Sequence, residues 1–512
     1  MIDDASSVSA EQDPHIRRIA IIGAGITGLA AAHRIVKHAA TDSAAPCSVR
    51  IYEASDRLGG IIRTERIQDF IVELGPDSFI TNKPAGIQLC EELGFASELI
   101  PTDERFRRSL VLRNGRPQPV PDGFMLMAPA KPWAIFTTPV LSLSGKLRLL
   151  SETFRSSRPS PTNTDDESLA GFVRRRFGKE TLDRLVQPLV GGIYTSDPEK
   201  LSLRATMPRF LDMEQKYGSV IRATLAEQKQ SNSQTASANA AAVSGSGARY
   251  GLFAAPKSGL GSLIDRLQQS LQNTGIVDIR ANTTIRQVVP NPNSNVRSRW
   301  DIVLSDGTTE SFDDVIITLA THQAAALLTD TCCQSLAAAL SRIEYASSAI
   351  MVSAHRLTDF RHPLDAFGLV IPAIENRRIL AVSFGSRKFV GRAPEGHVLL
   401  RTFVGGAMQP ELLEQNDEQI EQIVNEELRD ILGMTGTPLF RQLARYNNSM
   451  PQYHVGHLQR VQQIESCLQR LPGLQLAGSA YHGVGIPDSI ASAWLAADAL
   501  KAAPAPSPGN AI

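Results

Sequence analysis

A short apolar run, Arg17 to Ile22 (RRIAII), passes directly into Gly23-Ala24-Gly25-Ile26-Thr27-Gly28 and then into LAAAHRIVKHA, which has helix-forming composition and apolar periodicity. A continuous apolar run of this length reads as a strand buried on both faces. A G-x-G-x-x-G spacing between such a strand and a helix constrains the chain more than any other feature it carries. Gly23 permits a tight turn and Gly25 lets the backbone approach a pyrophosphate. Gly28 lets helix pack closely on strand, with the helix N-terminus facing the phosphate charge. A second strand, Ser48 to Tyr52, follows, and Glu53 stands at its end, where a carboxylate would accept hydrogen bonds from a ribose. Glu53 lies 25 residues after Gly28, and the Ala39–Pro46 loop accounts for the long spacing. The segment predicts a dinucleotide-binding domain.

Composition mainly excludes. At ~100–200 residues per domain, the chain of 512 residues should form two or three domains. Its 52 basic residues balance 52 acidic ones, so no global positive field would draw nucleic acid, and none is expected as a partner. Cys47, Cys90, Cys332, Cys333 and Cys467 make no C-x-x-C pair, which disfavours both a zinc ribbon and a disulfide framework. His454 and His457 form a lone H-x-x-H that reads as structural, so no metal is expected. Met1 to Pro14 lacks the basic and apolar regions of a signal peptide, and no apolar run reaches the ~18 residues of a spanning helix. A cytoplasmic location follows as the expectation.

Downstream, Glu53-Ala54-Ser55-Asp56-Arg57-Leu58-Gly59-Gly60 carries the second strand into another glycine turn, which a nicotinamide dehydrogenase does not need. The E-x-x-x-R-x-G-G-x-x-x-T pattern through Thr64 resembles the signature of the flavin amine oxidase superfamily. The FIVELGPDSF loop (Phe70 to Phe79) resembles the corresponding loop of protoporphyrinogen oxidases more than that of monoamine oxidases. VQPLVGGIYTSDPEKLSLRATMP (Val186 to Pro208) is similar to the porphyrinogen oxidases' substrate-domain signature. LQLAGSAYHGVGIPDSIASAWLAADAL (Leu474 to Leu500) resembles the family's second cofactor-contacting stretch. The resemblance to the oxygen-dependent protoporphyrinogen/coproporphyrinogen oxidases spans residues 17 to 500.

That resemblance implies an FAD cofactor, held by Gly23 to Gly28, Glu53, Ala54, Arg57, Gly59 and Gly60. It adds Gly75, Pro76, Asp77 and Ser78, then Val288 against the adenine, and finally Gly478, Ser479, Val484, Gly485 and Ile486. It further implies oxidation of a porphyrinogen to a porphyrin in haem synthesis, with oxygen as acceptor. The flavin carries the redox chemistry, and no triad, paired carboxylates or HExxH motif stands out to name a catalytic residue. A basic residue for the substrate's propionates falls at Arg108, or at Ser109 if the register slips by one. Leu369 and Phe384 are expected to flank the macrocycle, and Gly192 to offer its carbonyl to the pyrrole N–H groups. His482 lies inside the flavin-contacting turn. An amine oxidase, a carotenoid desaturase and a flavin-binding partner of haem enzymes without turnover are the rival readings.

The implied fold is α/β: a Rossmann-like FAD-binding domain, a mixed-sheet substrate domain and an inserted α-helical domain. FAD-binding segments at 15–83, 249–325 and 466–502 alternate with a helical insertion and part of the substrate domain (84–222) and the main substrate domain (326–465). Tails at 1–14 and 503–512 are expected to be disordered, and the polar stretch 223–248 cannot bury enough apolar surface to hold one conformation. Arg174-Arg175-Arg176 reads as a solvated helix face. Trp133, Phe136 and nearby leucines suit a membrane interface, which would make the protein peripheral on the inner face of the cell membrane. A haem-pathway enzyme is a further candidate partner. The choice between protoporphyrinogen IX and coproporphyrinogen III stays open, as does that between monomer and homodimer.

Overall fold

The RRIAII run forms the strand Arg17–Ile22 at the centre of a five-stranded sheet in which every neighbouring pair is parallel. The computed structural model describes residues 16–41, 46–129, 131–155, 166–234, 252–292 and 298–502. The predicted tails lie outside them. Strand order is Val277–Arg280, Cys47–Tyr52, Arg17–Ile22, Asp314–Ile317, Leu474–Leu476. Side chains alternate across a strand, and both faces of this one are covered. Ile19 and Ile21 pack under helices Ile26–Thr41, Gly261–Gln272 and Ile486–Ala502, which supply Leu29, Leu263 and Ile490. Ala20 and Ile22 pack on the opposite side with Trp300, Leu336 and Val461. Two-sided burial explains why the run is apolar throughout.

A second, mixed sheet has seven strands, ordered Phe440–Pro451, Tyr345–Arg356, His397–Gly405, Ala381–Phe384, Gly368–Val370, Ser109–Arg113, Arg116–Pro119. Its last two strands form a hairpin, turning at Asn114 (φ 50°) and Gly115 (φ 72°). One face rests on helix Asp417–Leu432, which starts with a capping box from Asn416 and Gln419 and stops at left-handed Gly433. The other face is left to form a cavity.

The segment before Arg222 is largely helical and has its own core, containing Leu169, Phe172, Phe177, Leu185 and Tyr453. Two expectations fail here. The polar stretch 223–248 does not begin as a loop, because helix Val220–Gln234 runs into it. Val220, Ile221 and Ala223 are buried, and the Ser219 hydroxyl accepts the Arg222 N–H at 3.1 Å, so burial and capping in the first turn override the polar composition. Residues 235–248 of the predicted loop lie outside the described part. Nor is the arginine run a solvated face: Arg174 pairs with Glu199 at the surface, but Arg175 bonds Glu167 and Glu214, and Arg176, 1% exposed, bonds Glu152 and Glu214. Carboxylates distant in sequence converge on it, which spacing could not reveal.

Glu152 also accepts the Val220 and Ile221 N–H groups, tying three helices together. Removing one member of a buried ion pair strands the other. Glu152→Ala is therefore expected to cost about 3–5 kcal/mol, and Glu199→Ala, at the exposed pair, under about 1 kcal/mol. Chemical denaturation of the two variants checks this, and equal effects would contradict it.

Candidate active site

The carboxyl ends of the parallel strands define the first half of the site, because open parallel sheets bind ligands there. Gly23 takes φ +102° immediately after the central strand, and Thr318 Oγ1, at the end of the neighbouring strand, donates to the Ile22 and Gly23 carbonyls at 2.9 and 3.0 Å. A Cβ on Gly28 would lie 1.9 Å from the Gly23 oxygen, so only glycine lets this helix sit so close. Glu53 ends the second strand and accepts the Ala24 N–H at 2.9 Å and the Ser55 N–H at 3.0 Å. The second glycine turn closes on the first: the Gly59 N–H donates to the Ala24 carbonyl at 2.8 Å, and Arg57 caps the turn by donating to the carbonyls of Gly60 and of Ile62 (3.1 Å). Ala54 is exposed beside them.

The C-terminal stretch returns to the same edge. Gly478 follows the fifth strand, and Val484 and Gly485 lead into helix Ile486–Ala502. The Tyr453 hydroxyl fastens this turn from inside, donating to the Ser479 carbonyl and accepting the Gly483 N–H, both at 2.7 Å. Its ring stacks on His457 at 3.8 Å, whose Nε2 lies 3.1 Å from the Tyr481 carbonyl. Burial lowers the His457 pKa to about 4, so the ring is neutral at pH 7. His482 points elsewhere, pairing with Glu465 at 3.0 Å. No metal-binding cluster occurs among the described residues, and His454 faces Glu344.

A dinucleotide fits this edge. A side chain on Gly25 would meet only Gly60 Cα, at 3.9 Å, and one on Gly478 nothing within 4 Å, so both backbones face open space beside a helix start. The residues that could hold its pyrophosphate are Gly23 to Gly28, at the start of helix Ile26–Thr41. Glu53, Arg57 and Gly60 border the same space. Val288 differs: it is fully buried in the cluster with Trp300 and Ile302, so its side chain is committed to packing.

The glycine turn and the cavity meet at Ile61, since a Cβ on Gly75 would lie 1.8 Å from the Ile61 carbonyl. The cavity holds about 490 Å³ and is lined by Gly75, Pro76, Asp77 and Ser78 at this end. Phe253, Ile350, Val370, Phe403, Tyr446 and Gly192, the last in helix Gln187–Tyr194, extend the wall. Cross-strand partners share a face, so the registers Ser109–Gly368–Ser383–Arg401 and Val370–Ala381–Phe403–Ile350 mark the cavity side. That alternation corrects two expectations. Phe384 is fully buried on the opposite face, against helix Asp417–Leu432, and Ser383 takes its place at the cavity. Leu369 borders the cavity, but its side chain belongs to the same opposite-face cluster. Arg108 does not line the cavity either, because it is drawn to Asp365 as an ion pair and to the Asp365 carbonyl at 2.8 Å, leaving Ser109 on the wall.

The cations on the wall come from residues that the motifs did not flag. Lys388 Nζ lies 2.8 Å from Asp77 Oδ1 and 2.9 Å from Ser78 Oγ; Arg401 lies 2.9 Å from Asp77 Oδ2 and donates to the carbonyls of Glu73 (3.0 Å) and Gly75. Burial alone would raise the Asp77 pKa, but Lys388 and Arg401 outweigh it and hold the carboxyl well below the usual range. Asp77 is thus ionised at any working pH. Among the lining residues the formal charge is one carboxylate against two cations. The detectable signal was an arginine inside the apolar strand HVLLRTFVG.

Tyr453→Phe removes one hydroxyl that serves two backbone groups, and is expected to destabilise the fold by about 1–3 kcal/mol, measured by urea denaturation. Buried neutral His355 and His457, each with pKa lowered to about 4, add an acid dependence. The unfolded chain binds their protons first, so their contribution is full above pH ~6.5 and declines as pH falls towards about 4. Stability should therefore be lower at pH 5 than at pH 7.5, and smaller loss in His457→Gln would mark this residue's share.

The whole chain has relatives of known class. Residues 26–501 match the family of flavin containing amine oxidoreductases. The chain is 32% identical over 475 residues to coproporphyrinogen III oxidase of Bacillus subtilis (strain 168), covering 93% of this chain and 96% of that protein. It is 27% identical to mitochondrial protoporphyrinogen oxidase of Nicotiana tabacum, covering 96% of each chain. A crystal structure from Exiguobacterium sp. 255-15, provisionally named a protoporphyrinogen oxidase, superposes with TM-score 0.80 and 28% identity, covering 96% of this chain and 99% of that one. The chain belongs to the flavin-containing amine oxidoreductases, in their protoporphyrinogen/coproporphyrinogen oxidase family, and is a flavin-dependent oxidoreductase.

Proposed function

We propose that the protein is an FAD-dependent oxidase that converts coproporphyrinogen III to coproporphyrin III with oxygen as acceptor, in haem synthesis. The observation that carries this reading is the cavity's charge: an apolar and hydroxyl-lined space whose ionised groups, Asp77, Lys388 and Arg401, leave one positive charge in surplus. A protonated amine would be repelled there, whereas a carboxylate-bearing tetrapyrrole gains a charge-assisted contact. The greater likeness to the Bacillus subtilis enzyme than to the tobacco one favours coproporphyrinogen III over protoporphyrinogen IX.

The parallel sheet and its glycine turns are read as a Rossmann-like FAD-binding domain, assembled from 15–83, 249–325 and 466–502. When bound, FAD supplies the two-electron acceptor and the route to oxygen. The chain's own residues bind and orient. The Gly75–Ser78 loop, held by Arg401 and Lys388, forms the cavity end nearest the glycine turns, and Ile350 and Phe403 offer apolar surface to a macrocycle. Asp77 cannot take up a proton, since its partners keep it ionised.

The protein is proposed to be cytoplasmic and to touch the membrane through one face of the insertion. Trp133 (82% exposed) and Phe136 pack against each other at 5.8 Å, with Leu143, Leu147 and Phe154 exposed on the following turns. No helix among the described residues is long and apolar enough to cross a bilayer, so contact would be interfacial.

Turnover by purified, FAD-loaded protein is the test. Oxygen consumption and porphyrin fluorescence should rise with coproporphyrinogen III, more slowly with protoporphyrinogen IX, and not with benzylamine or a polyamine. Oxidation of an amine without any porphyrinogen activity would overturn the assignment.

A further inference from the structure

Arg108, the expected partner of a substrate carboxylate, is already engaged by Asp365. Its neighbours are engaged as well: Arg105 bonds Asp103 at 2.6 Å and Arg107 bonds Glu104 at 3.0 Å. Arg387 is different. No described carboxylate forms an ion pair with it, and its Nε is buried without a hydrogen-bond partner. Burial disfavours its charge and repulsion from Arg105 adds to that, while Asp103 and Asp365 offset them in part without bonding to it, so this guanidinium is a partly desolvated cation with an unused Nε donor.

Its ring contact and its neighbours place it near the cavity. The guanidinium carbon lies 4.7 Å from the centre of the Phe106 ring, which also carries Arg105 at 5.4 Å. Arg387 belongs to the short helix Gly385–Lys388, and the next residue, Lys388, is on the cavity wall. The Lys388 carbonyl accepts the Asp103 N–H at 3.0 Å, tying this helix to the arginine-rich segment. On the other flank the Arg108 carbonyl accepts the Phe367 N–H at 2.9 Å, and Phe367 and Ser109 both line the cavity. Arg387 is thus the sequence neighbour of the Lys388 wall, stacked on Phe106 just outside the residues that line the cavity, and its Nε has no hydrogen-bond partner.

We propose that Arg387 is a carboxylate-binding, specificity-determining residue at this side of the cavity, receiving a propionate of the tetrapyrrole that lies beyond the Lys388–Arg401 wall. The proposal rests on the porphyrinogen reading above. Coproporphyrinogen III carries four propionates and protoporphyrinogen IX two, so a second cationic position outside the wall would serve the more acidic substrate more. A planar guanidinium stacked on Phe106 loses little freedom on binding and presents paired donors to a carboxylate.

The test uses the FAD-loaded full chain with Arg387→Met, Arg387→Lys and, as a control for general field, Arg105→Met. Arg387→Met is expected to raise the KM for coproporphyrinogen III roughly 10-fold while changing kcat much less. The KM for protoporphyrinogen IX should change less than that for coproporphyrinogen III. Direct binding of coproporphyrin III, followed by fluorescence, should weaken in parallel and become less sensitive to salt. Arg387→Lys should recover part of the loss. Unchanged binding and KM in Arg387→Met, or an equal loss in Arg105→Met, would overturn the proposal. If the wild-type protein neither oxidised a porphyrinogen nor bound coproporphyrin, the functional reading would fall first and this inference with it.

Discussion

Arg401 rises from the middle of an apolar strand and spends its guanidinium on the Glu73 carbonyl, the Gly75 carbonyl and the Asp77 carboxylate. Its burial would be costly if any of those partners were missing, because several kilocalories of desolvation must be offset by well-made hydrogen bonds. The arrangement chains the site together. Arg401 and Lys388 fix Asp77, Gly75 abuts Ile61, and Gly60 faces Gly25 across the gap between the two turns. A seven-stranded sheet and a five-stranded sheet are thereby registered against each other at one loop.

The same cluster sets the character of the cavity. Two fixed cations and one fixed carboxylate, each largely buried beside apolar walls, give a field that solvent screens less than at the surface. Flavin-dependent relatives that share this fold act on quite different molecules, and the fold alone does not choose among them. The choice falls to which side chains the seven-stranded sheet turns towards the cavity. Here these are serines, aliphatic residues, the Phe403 and Tyr446 rings and a surplus positive charge, and it is the charge that disfavours an ammonium group.

The glycine turns were readable because their requirement is local: Gly23 needs a positive φ, and Gly28 needs the absence of a Cβ, whatever the rest of the chain does. The two-sided burial of Arg17–Ile22 was readable for a similar reason, since an unbroken apolar run has few other uses. The substrate wall was not. Along a strand, one step in register exchanges the faces, so Ser383 and Phe384, or Arg108 and Ser109, cannot be told apart without the pairing of distant strands. Lys388 and Asp77, 311 residues apart, carry no mark of their meeting, and the burial of Arg176 depends on Glu152 and Glu214, which no spacing rule connects. Helix Val220–Gln234 was hidden by polar composition because its buried contacts, Val220, Ile221, Ala223 and Thr224, cluster at its start among the described residues.

An anaerobic titration tests the central claim most directly: the FAD-loaded protein is mixed with coproporphyrinogen III without oxygen, and the flavin absorbance is followed. The account predicts bleaching of the oxidised flavin band as porphyrin absorbance grows, with the colour restored on admitting air. A flavin that stays oxidised with coproporphyrinogen III and with protoporphyrinogen IX, yet bleaches with an amine, would contradict it.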